Sequence, residues 1–364
     1  EDTLSLHDAL PISMKHIKRL VASASLLCLC TPVLAQDLTV VSFGGAYGEA
    51  QRKHMIEPFE AETGKTLIFE DYSGGVAEMK AQVEAGTPLW DVVDVEMIDL
   101  ERACSEGLWE VIDKSQLPAG EDGTAAQDDF YPDAIANECG VGVILWSIIY
   151  AFDPAKFGGQ EPQSVADVFD TAKFPGPRAL RKRPQVNLEW ALIADGVAPA
   201  DVYKVLATPE GQDRAFAKLD TIRDSIVWFD SWSQAPQLLN DGGAVIVQSA
   251  NGRIYDSIVK DKAPFKIGWA ANVYDLDVWA ILRGSKNVDT AMDFIKFATS
   301  TTPLVGVQDV AYGPTRKSSA ARVSPEVLPN LPSSHLKEGL KADSAFWANY
   351  GEALGERFNE WLLK

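Results

Sequence analysis

Histidine is scarce in this 364-residue chain, four in all, and beyond position 35 only His54 and His335 remain. That excludes most imidazole-based metal sites and catalytic triads. Cysteine is equally sparse, again four. The patterns G-x-S-x-G, H-E-x-x-H and C-x-x-C are absent. Gly64-Lys65-Thr66 imitates the end of a phosphate loop, but Phe59 stands where that loop needs its first glycine, and Gly64 reads as a helix stop. Gly140-Val141-Gly142 lacks the third glycine of a dinucleotide fingerprint. Positive charge is in deficit too: 33 Lys and Arg against 52 Asp and Glu leave a net −19. Such an excess disfavours nucleic acid and anionic membrane as partners and is compatible with a cationic ligand. No repeat, coiled coil or low-complexity stretch appears, and 46% apolar residues with 23% charged is ordinary globular composition.

The N-terminus carries a targeting pattern. Met14-Lys15-His16-Ile17-Lys18-Arg19 is a basic start, followed by an apolar stretch and Val33-Leu34-Ala35 before Gln36. Residues 14–35 are therefore expected to be a cleaved signal peptide, which implies a periplasmic protein. The apolar stretch is shorter than the roughly 20 residues a spanning helix needs. Residues 1–13 precede a complete signal and are expected to be a non-native extension. Cys104 and Cys139 are left in the mature chain, and in an oxidising compartment they are expected to form a disulfide rather than two buried thiols.

At about 150 residues per domain the length suggests two domains. Short β-branched runs alternate with helical patterns: strands at 38–43, 66–69 and 90–95, helices at 76–84 and 98–105. This argues βαβ units in a mostly parallel sheet. Val141–Phe152 is too long for one lobe's strand and reads as a crossover; a strand at 265–269 precedes a second long strand at 273–282. Trp146, Trp269 and Trp347 read as core. The tail from 344 to 363 presents Phe346, Trp347, Tyr350, Leu354, Phe358, Trp361 and Leu362 as an apolar helical stripe.

Candidate site residues follow from alternation. In Val273–Leu282 one strand face carries Tyr274, Leu276, Val278, Ala280 and Leu282; the other carries Asp275, Asp277 and Trp279. Two carboxylates on one half-buried face repel unless a cation joins them. A salt-bridged strand end accounts for the pair equally well, and a metal-binding D-x-D lacks neighbouring ligands. Trp232, among polar residues where a strand gives way to a helix, suits a cleft. Tyr47 and Tyr72 occupy equivalent loops after the first and second strands. Glu189 begins a helix.

Together with Ile56–Gly64, Trp90-Asp91-Val92-Val93, Gly107–Asp113 and Tyr312-Gly313-Pro314-Thr315, these features resemble bacterial extracellular solute-binding proteins of ABC importers, the spermidine/putrescine branch in particular. The resemblance implies an α/β two-lobed periplasmic-binding-protein fold (type II), with mostly parallel sheets flanked by helices and two hinge crossings. It implies a monomeric receptor that closes on a polyamine and docks on an inner-membrane permease, with no cofactor. Tyr47, Glu189, Asp277 and Tyr312 would hold the ligand, flanked by Tyr274 and Asp275. The chain departs from that branch at Gly44-Gly45, at Asp94–Met97 and at Val186, and Glu96 stands as the candidate replacement for a missing carboxylate. Residues 36–140 and 277–330 are expected to form lobe 1, residues 141–276 lobe 2, and residues 331–364 a helical segment packed on both. The alternatives are a receptor for another small solute, or a hydrolase or lyase working through Asp275, Asp277 and Glu96.

Overall fold

The structure, a computed structural model, describes residues 38–364; the expected signal peptide and the stretch before it lie outside them. No helix among the described residues is long and apolar enough to cross a membrane.

Among the described residues ten strands form one sheet. They are β1 (Leu38–Ser42), β2 (Leu67–Asp71), β3 (Val92–Glu96), β4 (Gly140–Phe152), β5 (Arg178–Arg181), β6 (Ile226–Phe229), β7 (Ile246–Ala250), β8 (Lys266–Ile281), β9 (Gly313–Pro314) and β10 (Leu340–Lys341). The main path runs β2-β1-β3-β8-β4-β7-β5-β6, with β9 on β4 and β10 on β8. The outer strands pair in parallel: β1 with β2 and β3, β5 with β6 and β7. The two long strands run antiparallel to each other and to β3 and β7. This is an α/β fold in which two parallel βαβ ends are sewn together by one long antiparallel pair.

Local sequence explains most elements. Gly64 adopts the left-handed cap (φ 70°) that ends the helical run from Gly45 to Thr63, and that run contains a π turn at Arg52–Ile56. Asp343 accepts from the Phe346 amide at 2.8 Å and starts the helix Ser344–Leu362. From that helix Phe346, Trp347, Leu354, Phe358 and Trp361 are buried, about 1.5–3 kcal/mol each relative to exposure. Tyr350, at the edge of the stripe, remains exposed.

Two expectations change. The strands expected at 265–269 and 273–282 are one strand, because β4 supplies hydrogen-bond partners from Lys266 to Ala280 and Ala271 (φ 57°) absorbs the irregularity beside the register shift. The strand Arg178–Arg181 escaped notice because its ends are arginines, yet it is fully buried between β6 and β7.

The faces of β3 and β8 separate as alternation requires. Val93, Val95, Val278, Ala280 and Leu282 join Met79, Trp90, Leu100 and Trp109 in an apolar cluster. Cys104 and Cys139 meet beside it in a disulfide, Cα atoms 6.0 Å apart, tying the end of the helix Met97–Ser105 to the start of β4. The opposite face carries the acids.

Candidate functional site

Register builds an acidic face in the middle of the sheet. Glu96 lies directly across from Asp277, Asp94 across from Trp279, and on the other side of β8 Trp146 lies across from Asp275. Residues opposite one another project to the same side, so Asp94, Glu96, Asp275 and Asp277 share one buried surface. Like charges this close are unfavourable unless neutralised by protons or cations.

The four carboxylates are neutralised differently. Asp94 Oδ2 accepts from Ser42 Oγ (2.9 Å) and Gln51 Nε2 (2.6 Å), while its Oδ1 has no partner. Burial pushes its pKa up to about 7 against the pull of those hydrogen bonds. Asp277 Oδ1 and Asp275 Oδ2 also lack partners; burial, reinforced at Asp277 by Asp94 and Glu96, raises both well above the carboxylate range. Glu96 is the exception. Burial pushes it upward too, but Arg181 (Nη1 to Oε1, 2.8 Å) and Arg183 (Nη1 to Oε2, 3.4 Å) outweigh it and hold it ionised below its usual range. Glu96, the candidate replacement carboxylate, is thus already held by an internal cation.

Two adjoining cavities open from this face. A narrow cavity is lined by Phe43, Tyr47, Ala250, Arg253, Asp277 and Tyr312, together with Glu96, Trp146 and Trp232. A somewhat larger one has Glu96, Trp146 and Trp232 in common with it and adds Arg181, Arg183, Val186, Glu189, Asp275 and Trp347. Trp146 and Trp232 meet edge to face, centroids 5.7 Å apart, at the junction. Tyr47 and Tyr312 meet the same way at 5.2 Å. The Tyr47 hydroxyl is buried without a partner, and burial beside Asp94 and Asp277 keeps it protonated.

Arg253 is the cation of the smaller cavity. It stands in the first turn of the helix Asn251–Lys260 and donates from Nη1 to Gly44 O (2.6 Å) and from Nη2 to Phe43 O (3.2 Å), leaving Nε buried and unpartnered. The approach needs Gly45, at φ 54°, since a Cβ there would lie 2.5 Å from Arg253 Nη1. In the larger cavity Glu189 Oε1 accepts from Trp347 Nε1 (2.9 Å) and Tyr203 Oη (3.2 Å), and burial raises Glu189 to about 7. Val186 lines the same cavity with φ 67°, a costly left-handed conformation for a β-branched residue.

Of the sequence candidates, Tyr47, Glu96, Glu189, Trp232, Asp275, Asp277 and Tyr312 all line one cavity or the other. Tyr72 lines neither: its hydroxyl donates to Asp94 O at 2.5 Å and its ring packs on Phe43 and Trp90. Tyr274 lines neither, because it alternates with Asp275 and Asp277 onto the other face of β8, opposite Ser147. Trp146 and Trp347, read as core, are buried in it and line the cavity as well. Sequence reasoning missed Asp94, Arg181, Arg183 and Arg253. Asp94-Val95-Glu96 has the same D-x-acid alternation as Asp275-Leu276-Asp277, and that signal was there to find; nothing local marks the arginines. Among the described residues the one cluster of potential metal ligands is Cys104, Glu138 and Cys139, whose thiols form the disulfide.

A buried cavity that offers both unpaired acceptors and an unpaired cationic donor suits a small polar solute. Residues 54–333 match the family model of bacterial extracellular solute-binding proteins, and the chain belongs to that family. It is 41% identical over 334 residues to the gamma-aminobutyric acid-binding protein of Pseudomonas aeruginosa, covering 91% of this chain and 92% of that one. A solved structure of the Atu4243-GABA receptor is 32% identical with a TM-score of 0.77, covering 90% and 98%. The putrescine-binding periplasmic protein SpuD of Pseudomonas aeruginosa is 21% identical over 78% of this chain and 80% of that one. The similarity is to solute receptors of ABC transport rather than to enzymes.

Proposed function

We propose that this protein is the periplasmic receptor of an ABC importer for a small zwitterionic ω-amino acid of the γ-aminobutyrate type, which it delivers to an inner-membrane permease. The observation that carries the reading is the smaller cavity: buried Asp277 Oδ1 lacks a donor while buried Arg253 Nε and Trp146 Nε1 lack acceptors. A ligand ammonium at Asp277, within reach of the Tyr47 hydroxyl, and a carboxylate at Arg253 would complete both ends. Phe43, Tyr312 and the Trp pair would cover the methylenes between. Each charge-assisted hydrogen bond contributes about 1.5–3 kcal/mol and each buried methylene about 0.8 kcal/mol, enough for micromolar binding after association costs. The γ-aminobutyrate-binding relatives support the same ligand class.

With lobe 1 taken as residues 36–140 and 277–330 and lobe 2 as residues 141–276, Asp277, Tyr47 and Gly44 belong to one lobe and Arg253, Trp146 and Trp232 to the other. A zwitterion would then be clasped by opposite charges from opposite lobes. The polyamine expected from sequence shares the ammonium end and is supported by the putrescine-binding relative. It would set a second cation against Arg253 or Arg181, at a cost of several kcal/mol in a desolvated site. Calorimetric titration of the mature protein with γ-aminobutyrate, longer ω-amino acids and putrescine tests the reading. Stoichiometric micromolar binding of an ω-amino acid without turnover is expected. Binding of putrescine with no response to any ω-amino acid overturns it, and turnover without a stable complex returns the carboxylate hydrolase.

A further inference from the structure

Glu96 and Asp277 face each other across the β3–β8 pair, both buried and both walls of the ligand cavity, yet their situations are opposite. Asp277 Oδ1 has no partner. Glu96 is met by Arg181 at 2.8 Å, and the Arg181 guanidinium lies 4.2 Å from the centroid of the Trp232 ring. A carboxylate plus the face of an indole is the environment that receives an organic cation. Here the chain supplies that cation itself. The arrangement is firmly held: Arg181 Nη2 donates to Ser73 O at 2.8 Å, its own carbonyl accepts from Asn187 Nδ2 at 2.7 Å, and its amide donates to Gln248 Oε1 at 2.9 Å.

We propose that Arg181 is a specificity-determining residue: a tethered guanidinium that occupies a second cation subsite, made by Glu96 and Trp232, and so restricts the receptor to ligands with a single ammonium group. Two adjacent buried carboxylates could neutralise the two ends of an α,ω-diamine. With Arg181 in place Glu96 is already satisfied, and a second ligand ammonium would enter that subsite beside a like charge. The charge that discriminates against diamines is therefore built in on the wall opposite the ammonium site. The inference rests on the proposed zwitterion reading and goes further, because it assigns the exclusion of dications to one side chain.

The test is Arg181→Ala, with Arg181→Ala/Arg183→Ala made alongside so that the neighbouring guanidinium does not swing in. Putrescine and γ-aminobutyrate are titrated into each and into the parent. The freed subsite is expected to raise putrescine affinity about ten- to a hundredfold, the worth of one charge-assisted contact, and methylguanidinium is expected to raise the melting temperature of the variants and not of the parent. Folded variants with no gain for putrescine and no response to methylguanidinium overturn the inference. If Arg181→Ala folds only when refolded with methylguanidinium, the subsite is demonstrated directly; if methylguanidinium fails to restore it, the inference falls. Should the parent bind no ω-amino acid, the zwitterion reading fails separately, whatever the variants do.

Discussion

Asp277 combines the two signatures of a ligand carboxylate: it is buried, and one oxygen is left without a donor. Asp277→Asn keeps the shape and removes the charge that would meet an ammonium. Affinity for the ω-amino acid should fall about ten- to a hundredfold by calorimetry, while the melting temperature of the empty protein stays level or rises, since repulsion from Asp94 and Glu96 is relieved. A lowered melting temperature with intact affinity would instead make Asp277 a structural salt-bridge residue. The same carboxylates impose a pH dependence on binding. Below about 7 the empty protein holds Asp94 protonated, whereas a nearby ligand ammonium favours the ionised form. Burial raises Asp277 well above the carboxylate range too, so protons must leave on binding and affinity should climb with pH through about 7, by up to tenfold per unit for one proton. Titrations in buffers of different ionisation enthalpy should report proton release, and pH-independent affinity would detach the acids from the ligand.

At the scale of elements, the turn after β1 decides the position of Arg253. Gly44 and Gly45 both have positive φ (60° and 54°), and each would place a Cβ against a side chain: Asp71 Oδ2 at 2.0 Å for Gly44, Arg253 Nη1 at 2.5 Å for Gly45. Gly45→Ala is therefore expected to destabilise the fold by about 1 kcal/mol or more through backbone strain. It should also weaken ligand binding severalfold, because the guanidinium must leave Gly44 O and Phe43 O. Chemical denaturation and calorimetry on one preparation measure both losses; lost stability with unchanged affinity would place Arg253 outside the site. The helix Ser344–Leu362 is a second such element. Its apolar stripe was legible as periodicity, but Trp347 reaching Glu189 was not, because the partner is 158 residues away in the chain.

For the whole molecule, the Cys104–Cys139 disulfide closes a loop with a sequence separation of 35. In the chain-entropy account this stabilises by about 3–4 kcal/mol. Reduction should lower the melting temperature by several degrees, and the oxidised protein should be about two hydrogens lighter than the reduced chain. Two cysteines freely alkylated without reductant would end that expectation. Buried acids shape global stability as well. Asp94 and Glu189 have pKa values raised from 3.8 and 4.5 to about 7 in the folded state, so folding binds their protons more tightly. That contribution is complete below about pH 4 and is lost as pH rises through about 7. The melting temperature of Asp94→Asn/Glu189→Gln, compared with the parent across this range, should lack that decline; parallel curves would show that neither acid titrates as described.

Alternation and helical period, read along the chain, determined the helices Ala77–Glu84 and Met97–Ser105, the acidic face of β8 and the apolar tail helix, because each depends on neighbours within a few residues. The expectation of an oxidising compartment determined the pairing of Cys104 with Cys139. The sign of the site was another matter. Whether Glu96 is a free carboxylate or half of an ion pair depends on Arg181, 85 residues further on, and whether Arg253 faces the ligand depends on a turn 209 residues before it. Only the β3–β8–β4–β7–β5 order brings those groups together, since charge neutralisation acts over a few ångströms in space and leaves no period in the sequence.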